Sequence, residues 1–571
     1  MKKAKGKKQK AKISAITSLP LPAAAIDDEQ IVNHEKKAEV FFASRFNFLQ
    51  SFVTRRPVLT VAIIASTLSI ASFIYFFSQG MTNHYGDGVA HVNIARKVVD
   101  SPDDSLWQRY IQIGTPWLPL QTVLMLPLVA NDFLWRTGVA GSIISMISFV
   151  VAAVALYLLA KIFYRNEDER LNEILPLISV AIFMLNPSAL YMQSTPMTES
   201  VFMGALALAI YLLQRWATDQ TMKRLIVAAF AMTIATLARY EAWPVAVLSV
   251  LIVALACRSD AKTKIKSSAL FAVIVAAGPA YWLWHNWAIY GNAVEFLSGP
   301  HSARGIFLEN EARLGWSKIF IGHIAVDVLL MIVTAAVCIG PFLILLFATG
   351  LARALIVKRR ALIEYAPALL LLVPFFFHVL SLYRGEIQIF PLSAFGLHNV
   401  RYGLPHLLAV ALFAPVCILF FKGKARRWAT VCVCSIIALQ YGYLISEGPS
   451  QIAVYQEGYR NGVNAQPARE RARVSAWLNA NPVRPMLLMN TGALGPLVSQ
   501  GGLRYSEIIH EGTMRWHEIN DHFPGDVSTV IIQEGDPLDH WLRGNDALAR
   551  DLTEKFQEAL SVGRIKVFRR R

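Results

Sequence analysis

The chain is written in long apolar runs separated by short polar breaks. The first run, PVLTVAIIASTLSIASFIYFF, carries no charge over about 20 residues, which is the length a helix needs to cross a bilayer. The pattern recurs and predicts eleven spans, at 57–77, 138–160, 174–192, 199–215, 225–238, 242–257, 268–287, 323–348, 364–381, 403–421 and 428–446. The fold class is therefore a polytopic α-helical membrane protein with about 11 transmembrane helices. A membrane β-barrel would instead show apolar–polar alternation in segments of about ten residues.

After residue 446 the pattern changes. PMLLMN (485–490) and VSTVIIQE (527–534) read as short strands, DALARDLTEKFQEAL (546–560) has helical spacing, and RIKVFRR at the end reads as a last strand. Residues 447–571 are predicted to form a small soluble α/β domain. At the other end, MKKAKGKKQKAK opens a basic tail, 1–56, that lacks the apolar stretch of a signal peptide and is expected to be disordered.

Composition agrees with the pattern. Only 16% of the 571 residues are charged, and the mean hydropathy of +0.42 excludes a soluble protein of this length. The net charge of +16 at first suggests a nucleic-acid partner. Much of it lies in the tail and in alternate short loops, where basic residues mark the cytoplasmic side of a membrane and need no phosphate. With the tail cytoplasmic, Lys and Arg favour the inner segments over the outer ones by roughly three to one. The 78–136 loop and the 447–571 domain are then extracytoplasmic, and no nucleic acid is expected as partner. The five cysteines, Cys257, Cys338, Cys417, Cys432 and Cys434, lie within or at the edge of apolar runs and make neither a disulfide framework nor a thiolate metal site.

Candidate chemistry gathers on the outer side. The first loop carries NHYGDGVAHVNIARKVVDSP, with His84, Asp87 and His91. The turn QSTPMTES supplies Glu199, and ARYEAWP supplies Arg239, Tyr240 and Glu241. Later loops bring His301 and Arg304, then Arg401 and Tyr402. Ionisable groups at membrane depth are costly and face a cavity or one another. Asp87 fits two roles, an N-cap for the helix-like segment after it or a general base, with His91 one helical turn on and able to support it. His84, Asp87 and His91 as a metal site is a further option, without a tight spacing to recommend it. Glu199 is either a first-turn acid matched to a helix dipole or a second catalytic acid. Arg239 and Arg401 stand where basic residues are disfavoured, and a guanidinium there suits a phosphate. Arg239 pairing with Glu241, and Tyr240 and Tyr402 as belt aromatics, are the plainer readings. His301 and Arg304 sit in a loop without a catalytic spacing.

These residues also carry a resemblance. An Asp in the first loop, the continuation HVNIARKVVDS, and IGTPWLPLQTVLMLPLV before the second span resemble the GT-C glycosyltransferases. QSTPMTES and HNVRYGLP are similar to motifs of their family 39 branch, the protein O-mannosyltransferase and aminoarabinose-transferase-like enzymes. The resemblance implies transfer of a sugar from a polyprenyl phosphate to an acceptor hydroxyl of a glycan, lipid or protein on the extracytoplasmic side. It implies inversion and no metal or other cofactor. Asp87 then matches the general base, with His91 beside it, and Glu199 the second acid. Arg239 and Arg401 are phosphate ligands by position, with Tyr240, Glu241, Tyr402, His301 and Arg304 as further substrate-binding candidates. Membrane lipid is the surrounding partner, and a bacterial inner membrane is the expected location. One departure is that Asp87 stands alone, with Asp103 and Asp104 well downstream, where some relatives have two adjacent acids in the first loop. The alternative functions are a lipid-linked glycan transporter or flippase, which would place its charges at the midplane of repeated halves, and a glycan polymerase.

Overall fold

The computed structural model describes residues 55–103, 105–300, 302–310, 319–357, 362–393, 396–483 and 486–571. The basic tail up to residue 54 and His301 lie outside the described residues.

Every predicted apolar run is helical. Among the described residues, seven helices are long and apolar enough to cross a membrane alone, or eight if one bent pair counts as a span. The shorter helices Glu169–Met184, Met222–Thr236 and Ala242–Ala256 occupy three of the remaining predicted spans. The expected span 174–192 is two helices. The first stops at Met184, and Asn186 then caps Pro187–Met192 by accepting the N–H of Ala189 at 2.8 Å.

The span expected at 323–348 is also broken, and sharply. Ile324–Ile339 and Pro341–Val357 meet at 116°. Gly340 sits at φ +114°, a region side chains rarely adopt, and Pro341 has no N–H to continue the ladder. The Gln440 amide fills the space where a Cβ on Gly340 would stand. The span Val400–Phe420 also departs from a plain α-helix. With Pro405 and Pro415 it runs as 3₁₀, α and 3₁₀ turns, and it forms the centre of the bundle, sealed on nearly all sides.

Between the first two long helices, the loop 79–138 folds into Gly86–Val99, Leu106–Ile111, Leu120–Val129 and Asp132–Arg136. The C-terminal segment forms a five-stranded sheet from β3 (Leu487–Met489), β4 (Ile508–Ile509), β5 (Thr529–Gln533), β6 (Phe556–Val562) and β7 (Ile565–Arg570), in the order β4-β3-β5-β7-β6. Here β1 (Phe390–Ser393) and β2 (Gly396–His398) are a separate hairpin. The first three strands of the sheet are parallel, and β7 and β6 are antiparallel additions. The expected helix over 546–560 ends at Lys555. Its second half becomes β6, because Gln557 to Val562 find ladder partners on β7.

Strand alternation gives this sheet two apolar faces. Leu488, Val530 and Ile532 face Trp516, Phe523 and Leu548. Leu487, Met489 and Ile531 face the other way and share one core with Val92, Ala95, Met125, Val129 and Trp135 of the first long loop. The C-terminal sheet is thus packed onto that loop. Polar contacts fix the register. Asn93 donates to the Gly495 carbonyl at 3.0 Å and accepts from the Trp135 indole at 2.9 Å. Arg136 donates to the carbonyls of Val498, Ser499 and Leu503 at the end of helix Thr491–Gln500, where a cation suits the dipole.

Candidate active site

Four separate stretches of chain converge at the start of Gly86–Val99. The close approach is possible because Gly88 and Gly141 have no side chains. A Cβ on Gly88 would stand 3.0 Å from Pro196, and one on Gly141 would meet the Pro196 ring at 2.4 Å. Gln121 ties down the same turn by donating to the Pro196 carbonyl at 2.8 Å. Asp87 and Glu199 are thereby brought to one level.

At the centre stand two guanidiniums. Arg401 donates to Asp87 Oδ2 at 2.7 Å, contacts Glu199 Oε1 at 3.3 Å, and lies 3.6 Å from Glu457 Oε1. Arg239 shares the same Glu199 oxygen at 3.0 Å and donates to Glu241 at 2.8 Å and to the Thr198 hydroxyl at 3.0 Å. The chain of charge continues inward, since Glu241 lies 3.0 Å from His378 Nε2 and His378 lies 3.4 Å from His406. Tyr402 places its ring against both cations, 5.5 Å from Arg239 and 5.7 Å from Arg401.

The four acids differ in access. The side chains of Glu199, Glu241 and Glu457 are sealed, whereas Asp87 keeps 42% of its surface. Burial pushes Glu457 up to about 7, with Arg401 opposing the shift. Burial acts on Glu241 in the same sense, but Arg239 and His378 outweigh it and hold that carboxyl at about 2.

The structure brings Asp87, Glu199, Arg239, Glu241, Arg401 and Tyr402 together. The other candidates make other contacts. Asp87 is not the N-cap, because the helix begins at Gly86 with Tyr85 in the cap position, and the Asp87 carboxylate turns to Arg401. His91 is buried against the Trp117 ring at 4.5 Å, and burial lowers it to about 4. Tyr240 accepts from the Trp282 indole and donates to the Pro116 carbonyl at 2.6 Å, which fixes the IGTPW turn. Arg304 is exposed on Ala303–Asn310, away from the cluster's contacts.

Three participants were missed in the sequence. Glu457 lies on Ala453–Gly458 beyond the last long helix, and His378 lies inside an apolar run. Tyr85 belongs to the opening motif itself. Its hydroxyl lies 2.5 Å from the Val454 carbonyl and 3.1 Å from Glu457 Oε2, across some 370 residues of chain. Glu457 is flanked by Tyr455 and Tyr459, and its segment packs flush on His84 and Tyr85 through Gly458 and Gly462, a contact that no local pattern announces. Among the described residues, no three His, Cys, Asp or Glu side chains are grouped to hold a metal ion.

Residues 129–282 match the model of the dolichyl-phosphate-mannose-protein mannosyltransferase family. No curated protein sequence matches the chain. Among solved structures, the fold is similar to the archaeal oligosaccharyltransferase AglB from Archaeoglobus fulgidus, solved with an inhibitory peptide and a dolichol-phosphate. The TM-score is 0.50 at 11% identity, over 88% of this chain and 73% of that one. ArnT from Cupriavidus metallidurans, bound to undecaprenyl phosphate, aligns with a TM-score of 0.48 at 12% identity over 88% of this chain and 97% of its own. The match over residues 129–282 and the likeness of fold support the GT-C, family-39-like resemblance read from the sequence, and the chain is an integral membrane protein.

Proposed function

We propose that this chain is a GT-C glycosyltransferase that moves a sugar from a polyprenyl phosphate to an acceptor hydroxyl at the face that carries Asp87, a reading that the fold and the match over residues 129–282 support. The observation that carries this reading is the contrast inside the cluster. Asp87 alone among its acids is open to solvent, and it is held by an arginine that also belongs to the buried network.

The chemistry follows from that geometry. The acceptor oxygen attacks the anomeric carbon while Asp87 takes its proton, a contribution of about 10²–10⁴ in rate. The bond from the anomeric carbon to the phosphate oxygen breaks, and its electron pair leaves with the polyprenyl phosphate. Arg239 and Arg401 face the charge that develops there, and their forks match phosphate oxygens. Glu199 bridges the two guanidiniums and sets their spacing. A single displacement inverts the anomeric centre.

The face opposite the lysine-rich loops is extracytoplasmic, and a bacterial inner membrane suits a donor that needs no nucleotide. The test is to incubate purified protein with polyprenyl-phosphate pentoses and hexoses and hydroxyl acceptors, and to follow acceptor mass and anomeric configuration. Transfer with inversion is expected. A folded protein that transfers none of these sugars, or one that retains configuration, would overturn the reading.

A further inference from the structure

Two guanidiniums in the cluster serve four carboxylates, Asp87, Glu199, Glu241 and Glu457. If all four were ionised, the site would already be net negative before any phosphate arrived. Low-dielectric surroundings make that arrangement expensive, and an incoming anion makes it worse. One acid must therefore be able to carry a proton.

The geometry selects which. Glu199 touches both arginines, Glu241 touches Arg239 and His378, and Asp87 holds Arg401 at 2.7 Å. Glu457 has the longest ion contact, 3.6 Å, yet it is sealed from solvent. Its contacts leave room for a proton. Oε1 accepts the Asn399 N–H at 2.7 Å, as a carbonyl oxygen does. Oε2 accepts the Arg401 N–H at 3.4 Å and lies 3.1 Å from the Tyr85 oxygen. A phenol has one hydrogen, and Tyr85 directs it to the Val454 carbonyl at 2.5 Å. The contact between Tyr85 and Oε2 then takes its hydrogen from Glu457. A carboxylate there would face a phenol lone pair.

We infer that Glu457 holds a proton when an anionic phosphate sits at Arg239 and Arg401, so that binding of the lipid phosphate is coupled to proton uptake by Glu457. Glu457 is a positioning residue, because it acts through Arg401 and not on substrate. Its burial, which places it near neutrality, makes the exchange accessible at physiological pH. The charged and titratable groups facing it are Arg401, Asp87 behind that arginine, Tyr85, His398 at 4.0 Å, Tyr191 and Cys338. His398 is lowered to about 4, by burial first and Arg401 second, and stays neutral through the relevant range.

The inference rests on the phosphate role proposed for Arg239 and Arg401, and the test separates the two. The probe is a polyprenyl phosphate titrated onto the purified full-length protein between about pH 6 and 9, by calorimetry in buffers of different ionisation enthalpy. Above neutrality the native protein is expected to lose affinity by up to about tenfold per pH unit and to take up close to one proton on binding at about pH 8, where the phosphomonoester is already a dianion. In Glu457→Gln the low-pH affinity should persist across the range, with no uptake. Equal pH slopes in both proteins, or no proton uptake by the native protein, would overturn the coupling and leave the phosphate site standing. No binding by the native protein at any pH would overturn both. The uptake measurement needs only the native protein, so a variant that fails to fold does not rescue the inference.

Discussion

One helix, Gly86–Val99, carries a buried charge cluster near each end, and the two are built on different rules. At its start, Asp87 joins a cluster in which cations are oversubscribed, and Glu199 Oε2 is left without a partner. Near its end, about 15 Å along by helical rise, Lys97 meets Glu511 of the C-terminal sheet at 3.3 Å. Glu511 also accepts from the Thr491 N–H at 2.8 Å and the Thr491 hydroxyl at 2.6 Å. That junction pairs its ions one to one. An arrangement in which every acid has its own donor holds its shape and has no reason to release a partner. An arrangement in which acids compete for two arginines can exchange one partner for a ligand.

If that contrast is right, the two ends fail differently, and the largest failure belongs to Asp87. Asp87→Asn keeps the size and accepts the Arg401 contact through its amide oxygen, but it cannot take a proton. Activity is expected to fall about 10²–10⁴-fold while thermal stability stays within error. Product formation and a melting curve on the same preparation check this. Parallel loss of stability and activity would make the cluster a brace like the junction.

Next in size is Arg401→Lys. One ammonium cannot serve Asp87, Glu199 and Glu457 with the planar fork that Arg401 uses. The expected loss is about 10²–10³ in kcat/KM, since a donor aimed at the leaving phosphate is removed. Unchanged kcat/KM would show that Arg401 only braces Asp87.

The reach of the sequence follows the same division. Apolar periodicity located the spans and the change of texture after 446, because burial in a bilayer or a sheet is written residue by residue. It missed the break at Gly340, whose turn depends on φ at one glycine and on Gln440 a hundred residues away. It also extended the 546–560 helix into β6, where pairing with β7 outweighs helical spacing. Asp87, Glu199, Arg239 and Arg401 could be singled out because charge beside an apolar run is conspicuous. Glu457 and Tyr85 could not, since the contact that gives them meaning joins positions 85 and 457. His91 was chosen for its helical spacing from Asp87, but spacing does not show that the ring turns to Trp117.

At the junction the expected effect is on stability. Glu511→Ala removes the partner of Lys97 and two hydrogen bonds from Thr491. Charge-assisted bonds of this kind contribute about 1.5–3 kcal/mol each when buried. The Glu511 side chain keeps about a third of its surface, so the net loss is expected nearer 1–2 kcal/mol. Chemical denaturation and protease sensitivity of the 487–571 region measure it. Turnover per folded molecule should stay within a few-fold of native, and a loss as large as that of Asp87→Asn would erase the distinction between the two ends.

The last test is in pH, where His510 and Glu457 should have opposite slopes. His510 lies in the junction, fully buried, with Nε2 unpartnered and Nδ1 accepting the Gly512 N–H at 3.1 Å. Burial, and then Lys97, lowers it from 6.5 to about 3. Between those values the unfolded chain binds the extra proton, so stability falls as pH drops through the window. Glu457 behaves in reverse. Its folded value near 7 lies above its ordinary 4.5, so the folded state binds the extra proton, and stability falls as pH rises from about 4.5 to 7. In the native protein Glu457 opposes the trend of His510 where the windows overlap, while His91 and His398, each lowered to about 4, add to it, so the profile still falls on the acid side. His510→Asn should shrink the acid-side loss by the share that His510 carries, leaving that of His91 and His398. Glu457→Gln should remove the opposing trend and steepen the acid-side slope. Melting temperatures of the three proteins across about pH 4–8 decide it, and parallel profiles would mean that neither buried group titrates as its surroundings require.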